Sequence, residues 1–240
     1  MRWAALALVG LALTGCETSA EKSAKLEREA KLHVAPAAQK GLSITRPSTQ
    51  VAIRSATLVN GSEGTAAVVV LRNNTSRALH DVPLAISVRN AHGAVVYANS
   101  AAGLARTLVS VPLIPAHGEV TWVDDQVQAR SGSAVSITAE AGQAPGASGA
   151  IPRITVDGAH LYEDQTNGIG AEGTVTNHSA LEQRELVVYA VALRSGHVVA
   201  AGRAVVPSAP AGAATPFQVF FVGEPKGARL QVSAPPTILR

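Results

Sequence analysis

The sequence predicts an all-β chain in which two tandem antiparallel β-sandwich domains follow a signal peptide and a polar, partly helical tether. Three observations carry that reading. Turn signals and strand patterns recur at shared offsets in two stretches of the chain. Within each stretch apolar and polar residues alternate with the period of a half-buried strand. Ahead of both stands a short apolar run that ends at the only cysteine of the 240 residues. The expected order is a signal peptide over 1–15, a lipidated tether over 16–47, a first β domain over 48–141, a linker over 142–151 and a second β domain over 152–237.

Met1-Arg2 gives a positive start, and Trp3 to Leu13 is an apolar run. A helix that spans a bilayer needs about 20 residues, so this run has the length of a signal peptide instead. It closes on Leu13-Thr14-Gly15-Cys16, which looks like a bacterial lipobox: two small residues leave the backbone open to a peptidase, and the thiol accepts a diacylglyceryl group. Lipid on Cys16 would make the membrane a partner, and two acyl chains at ~0.8 kcal/mol per buried methylene hold far better than one. The next stretch, Glu17 to about Pro47, is polar. Its pairs Glu21/Lys25 and Glu27/Lys31 support a short solvated helix. Leu26, Ala30 and Leu32 make only a thin stripe on it, so the segment reads as a leash.

The repeat justifies the strands. Val51 to Leu58 and Ile154 to Leu161 open the two copies. Leu58 to Asn74 and Leu161 to Asn177 each span 16 positions, and 19 more lead to Gly93 and Gly196. The copies then diverge, with 22 positions from Gly93 to Pro115 and 14 from Gly196 to Pro210, which places an insertion at Asn99 to Thr107. Register returns over the seven positions from Pro115 to Trp122 and from Pro210 to Phe217. Alternation puts Leu84, Ile86 and Val88 on an inner face in copy one, and Val187, Tyr189, Val191 and Leu193 on the inner face in copy two. About seven short strands per copy argue for an antiparallel sandwich, with a barrel as the structural alternative. Small residues from Gly142 to Gly149 predict a linker across which the domains can move.

In the second copy, a Val-rich strand ends at Thr176-Asn177 and is followed by the run Leu186 to Leu193 and a hairpin at Gly196, Val198 and Val199. A turn at Pro210 to Gly212 then leads into Phe217 to Phe220. This pattern resembles the FxLYD-type immunoglobulin-like domains of bacterial lipoproteins and envelope proteins. The aromatic start of the namesake motif is absent, and Leu161-Tyr162-Glu163-Asp164 matches only its end. The resemblance implies two immunoglobulin-like sandwiches and neither an enzymatic activity nor catalytic residues.

Composition excludes several classes of function. A net charge of +3, with 15% charged and 3% aromatic residues, lacks the clustered basic face and stacking rings of a nucleic-acid binder. One cysteine allows no internal disulfide. Gly168-Ile-Gly170-Ala-Glu-Gly173 matches a dinucleotide fingerprint in letters, yet a β-like run follows it where a helix is needed, so no cofactor is expected. His160 with Asp157, Glu163 and Asp164 reads as solvated turn residues rather than a cation site, and no metal is expected. Asp124-Asp125 reads as an acid pair in a loop. The interaction candidate is the insertion, through Asn99, Ser100 and Arg106, because it breaks the repeat at a polar loop. The expected function is that of a non-enzymatic, membrane-anchored envelope lipoprotein serving adhesion, scaffolding or contact with a protein partner. A solute- or glycan-binding lipoprotein is the alternative.

Overall fold

The computed structural model describes residues 41–62, 64–129, 133–165 and 168–239, together with Ser23 and Lys25. The proposed lipobox, Leu13, Thr14, Gly15 and Cys16, lies outside the described residues. The fold is all-β, in several antiparallel sheets arranged as a sandwich.

The first half contains β1 (Val51–Gly61), β2 (Gly64–Asn73) and β6 (Glu119–Val127), which form a sheet in the order β1-β2-β6. Its facing sheet is organised by β3 (Leu79–Arg89), which pairs with β4 (Val95–Ala98), β5 (Ser110–Ile114) and β7 (Ser136–Ala141). One helical turn, α1 (Arg106–Val109), separates β4 from β5. The second half repeats this plan. Strands β8 (Ile154–Asp164), β9 (Gly168–Asn177) and β12 (Ala214–Phe220) form the sheet β12-β9-β8. Strands β10 (Gln183–Arg194), β11 (His197–Ala209), β13 (Val222–Gly223) and β14 (Arg229–Ser233) form the sheet β13-β11-β10-β14. The single long strand β11 stands where the first half has β4, the insertion and β5.

A buried asparagine marks the repeat most closely. Asn73 donates from Nδ2 to the carbonyls of Arg77 (2.7 Å) and Pro115 (3.0 Å), and its Oδ1 accepts from the Thr75 amide (2.9 Å). Asn177 does the same with Leu181 (2.7 Å), Ala209 (2.9 Å) and Ser179 (3.1 Å). The counterpart of Asn177 is therefore Asn73, one residue before the Asn74 that sequence offsets select; Asn74 is exposed. Two residues separate β1 from β2, whereas three separate β8 from β9, and the matched spacing hid that difference.

The core also departs from expectation. Leu84, Ile86 and Val88 are buried as alternation predicts. In β10 the strand faces are assigned differently. Leu186, Val188, Ala190 and Ala192 fill the second half's own core with Phe217 and Val219. Val187, Tyr189 and Val191, expected on that inner face, point the other way and join one apolar cluster with Val59, Val68, Val123 and Val127 of the first half. Strands β1, β2 and β6 meet β10, β11 and β13 along this seam. The sheets thus stack as four layers, and in the two middle ones the strands β2, β6, β10 and β11 have most of both faces covered. Such burial demands apolar residues at consecutive positions, and Leu186 to Leu193 supplies them.

The segment expected as a free linker is laced to the first half. Gly142 bridges Pro47 and Gly146 bridges Leu79. The Ala147 amide donates to the Ala78 carbonyl at 2.7 Å. These bonds hold residues 142–147 to the first half, while apolar side chains of both halves share the seam. Among the described residues no helix is long and apolar enough to cross a membrane.

Candidate functional site

The insertion was the sequence's best interaction candidate, and its residues divide between support and surface. Asn99 is fully buried. Strand β3 pairs with β5 as far as Pro83 and with β4 from Ser87 onward. Asn99 occupies the gap: Nδ2 donates to the carbonyls of Leu84 (2.8 Å) and Leu108 (2.7 Å), and Oδ1 accepts from the Ile86 amide (2.8 Å). Its side chain substitutes for the missing strand, so it braces the loop and presents nothing to a partner. Ser100 is exposed, and Gly41 passes so close to its carbonyl that a Cβ at Gly41 would collide with it. Arg106 is on the surface, with Nη2 2.6 Å from Asp81 Oδ2.

The far end of the insertion reaches the second half. Thr107 is buried; its carbonyl accepts from Trp122 Nε1 at 3.0 Å, and its hydroxyl accepts from Arg203 Nη2 at 2.6 Å. No residue type in the loop announced this link. Its sequence trace is Arg203, a lone cation within the apolar run of β11.

Asp124 and Asp125, expected in a loop, lie in β6 and are buried. Neighbours on a strand face opposite sides. Asp124 points into the first half and accepts from the Tyr97 hydroxyl at 2.6 Å. Asp125 points into the seam, where Oδ2 accepts from the Arg203 amide at 3.0 Å. The Ser23 hydroxyl reaches both oxygens of Asp125, at 2.9 and 3.0 Å. The expected leash therefore touches the folded body at Ser23. Burial pushes the Asp125 carboxyl from 3.8 up to about 7; Arg203 works against that rise and Asp124 adds to it. Two carboxylates on opposite faces cannot share a proton or a substrate atom, so the pair is no catalytic dyad. The repeat held the clue, because matching Trp122 to Phe217 aligns Asp124 and Asp125 with Val219 and Phe220.

The other motifs resolve into packing and pairing. Gly170 and Gly173 lie on β9. A Cβ at Gly170 would stand 2.5 Å from the Tyr162 ring, and one at Gly173 would stand 3.0 Å from the Phe217 ring. The glycines thus make room for aromatic side chains. His160 Nε2 sits 3.3 Å from Glu172, Asp157 accepts from the hydroxyls of Thr155 and Thr176, and Glu163 pairs with Lys226 at 2.6 Å. Three of the four candidate ligands are thus engaged by separate partners. Among the described residues, no group of three or more His, Cys, Asp or Glu is placed to hold a metal ion.

Among the described residues, sequence reasoning also missed concave sites, of which one is a candidate for function. An open groove of about 840 Å³ runs along the second half, between β11 at Ala204–Pro207, β12 at Thr215–Gln218 and the middle of β9. Its remaining border is the bulge of β8 between Asp157 and His160, where Gly158 takes φ +65°. Val206, Pro207, Pro216 and Phe217 make the walls apolar, and Asp157 and Glu172 stand among the lining residues. No protein-family model and no curated protein matches the chain in sequence comparison.

Proposed function

We propose that the chain is a lipid-anchored envelope protein of non-enzymatic type, whose tandem immunoglobulin-like domains, similar to the FxLYD kind, hold a protein-contact surface away from the membrane. The carrying observation is the run Trp3 to Leu13 followed by Leu13-Thr14-Gly15-Cys16, with the sole cysteine at the modified position. A polar stretch and an all-β body follow it, the order that a tethered ectodomain requires. The buried acids support a non-catalytic reading, since Asp124 and Asp125 are committed to Tyr97 and Arg203 on opposite faces of one strand. A second reading, capture of a small solute or glycan, is favoured by the open groove with its apolar walls.

The test is Cys16→Ser expressed in a bacterial host fed a labelled fatty acid. The wild type is expected to take up label and sediment with membranes. The variant is expected to lose the label, and either to leave the membrane or to accumulate as precursor. Label retained by the variant would sink the anchor assignment.

A further inference from the structure

The repeat register shows why the groove lies in the second half. Pro115 corresponds to Pro210, so Val109 to Pro112 correspond to the groove wall Ala204 to Pro207. Strand pairing matches Val69↔Trp122 in the first half with Gly173↔Phe217 in the second. The three walls of the groove therefore have counterparts in the first half, and there the space is filled. Trp122 is fully buried with its indole N–H on the Thr107 carbonyl, and Leu108 of α1 is 1% exposed. In the second half the indole becomes a phenyl ring, Val becomes Gly, and the insertion bearing α1 is missing. Three losses of volume coincide at one place, and the groove of about 840 Å³ lies there.

The first half thus carries its own picture of an occupant: one helical turn, Arg106-Thr107-Leu108-Val109, with a buried leucine and an arginine that finds a carboxylate at Asp81. Charge agrees with that picture. Among the residues lining the groove there is no Lys or Arg, while Asp157 and Glu172 are both present. We propose that the groove receives a short segment of a partner protein resembling α1, with an apolar side chain set into the slot beside Phe217 and a flanking basic residue drawn to the acidic border that Glu172 and Asp157 give the same sheet. This rests on the protein-contact reading above and specifies where the contact is made and what chemistry it takes.

The test uses the full-length protein in detergent and a fluorescein-labelled peptide with the sequence of residues 104–110, Leu-Ala-Arg-Thr-Leu-Val-Ser. Anisotropy is expected to show saturable binding, lost when the peptide's second leucine is replaced by aspartate. Thr215→Trp fills the groove from β12, and Glu172→Lys reverses charge at its border from a partly exposed position. Each is expected to weaken binding about tenfold or more while leaving the melting temperature in place. No saturable binding to the wild type, or binding unchanged in both variants, would overturn the proposal. So would binding of anilinonaphthalene sulfonate that Thr215→Trp abolishes while the peptide fails to bind, because the groove would then serve small apolar solutes. Crosslinking in native membranes separates the two readings. Protein partners captured equally by wild type and Thr215→Trp would refute the groove and keep the contact reading; capture of none would remove both.

Discussion

Replacing Asp125 with Asn should make the protein more stable at alkaline pH, an unusual direction for the loss of a charge paired with arginine. The carboxyl faces Arg203 from β11 and the hydroxyl of Ser23, with Asp124 next to it on its own strand. Burial outweighs the arginine and lifts the group from 3.8 to about 7. Below pH 3.8 the folded and unfolded chains both hold the proton, and the group costs nothing. Between 3.8 and about 7 the unfolded chain releases its proton while the folded chain keeps it, so stability falls as pH rises. Above that range both are ionised and the whole penalty is present. At 1.36 kcal/mol per pH unit, the penalty comes to ~4 kcal/mol. Asparagine keeps the shape and stays neutral. Urea unfolding of both proteins from pH 4 to pH 9 should show equal stability near pH 4 and a lead of ~4 kcal/mol for Asp125→Asn at pH 8. A difference that does not change with pH would refute the buried-carboxyl argument. A variant that loses ground as pH rises would show that the Arg203 attraction outweighs burial.

Two further substitutions test the scaffold. Asn99→Ala strips partners from the Ile86 amide and from the carbonyls of Leu84 and Leu108, all inside the first half. A loss of ~3 kcal/mol is expected in urea unfolding, against less than ~0.5 kcal/mol for the exposed neighbour Ser100→Ala. Equal midpoints for the two variants would show that Asn99 is no brace. At Gly202→Ala the new Cβ collides with the Phe220 carbonyl where β11 crosses β12, so a loss of ~3 kcal/mol and a clear fall in melting temperature are expected. A melt within about 2 °C of the wild type would show that the strands part at little cost.

The strands and their duplication were legible in the sequence because each is written in local chemistry: a period of two, and turns marked by Gly, Pro and Asn. The match of Trp122 to Phe217 holds in three dimensions, since each pairs with the equivalent residue of the neighbouring strand, Val69 or Gly173. The site was harder to see. Alternation tells which residues share a face but not what covers that face, so on sequence alone Val187, Tyr189 and Val191 fall to the nearer core. Asp124-Asp125 resembled a loop because two adjacent acids seldom enter a buried strand. What admits them is an unusual pair of neighbours, Tyr97 on one side and Arg203 on the other, separated from them by 27 and 78 positions in the chain. The sequence did contrast β3 with β10. Leu84 to Arg89 alternates, whereas Leu186 to Leu193 is apolar throughout, as a strand covered on both faces must be.

That contrast also explains why the insertion belongs to copy one. A second half standing alone would expose Val187, Tyr189 and Val191, a loss of roughly 5–9 kcal/mol at 1.5–3 kcal/mol for each large side chain. Covering that face brings Arg203 into a dry seam, where its cation needs oxygen partners. β6 supplies Asp125, but two acceptors serve a guanidinium and its backbone amide better than one. Thr107 is the second, and it stands there because the insertion carries the chain back across the edge of β3 to the seam. The same turn drops Leu108 beside Trp122 and closes the first half's counterpart of the groove. Among the described residues no second buried arginine stands at a seam beside copy two's outer sheet, so that half shows no unmet cation that an insertion would satisfy. The open groove lies where copy one has that turn and its buried leucine.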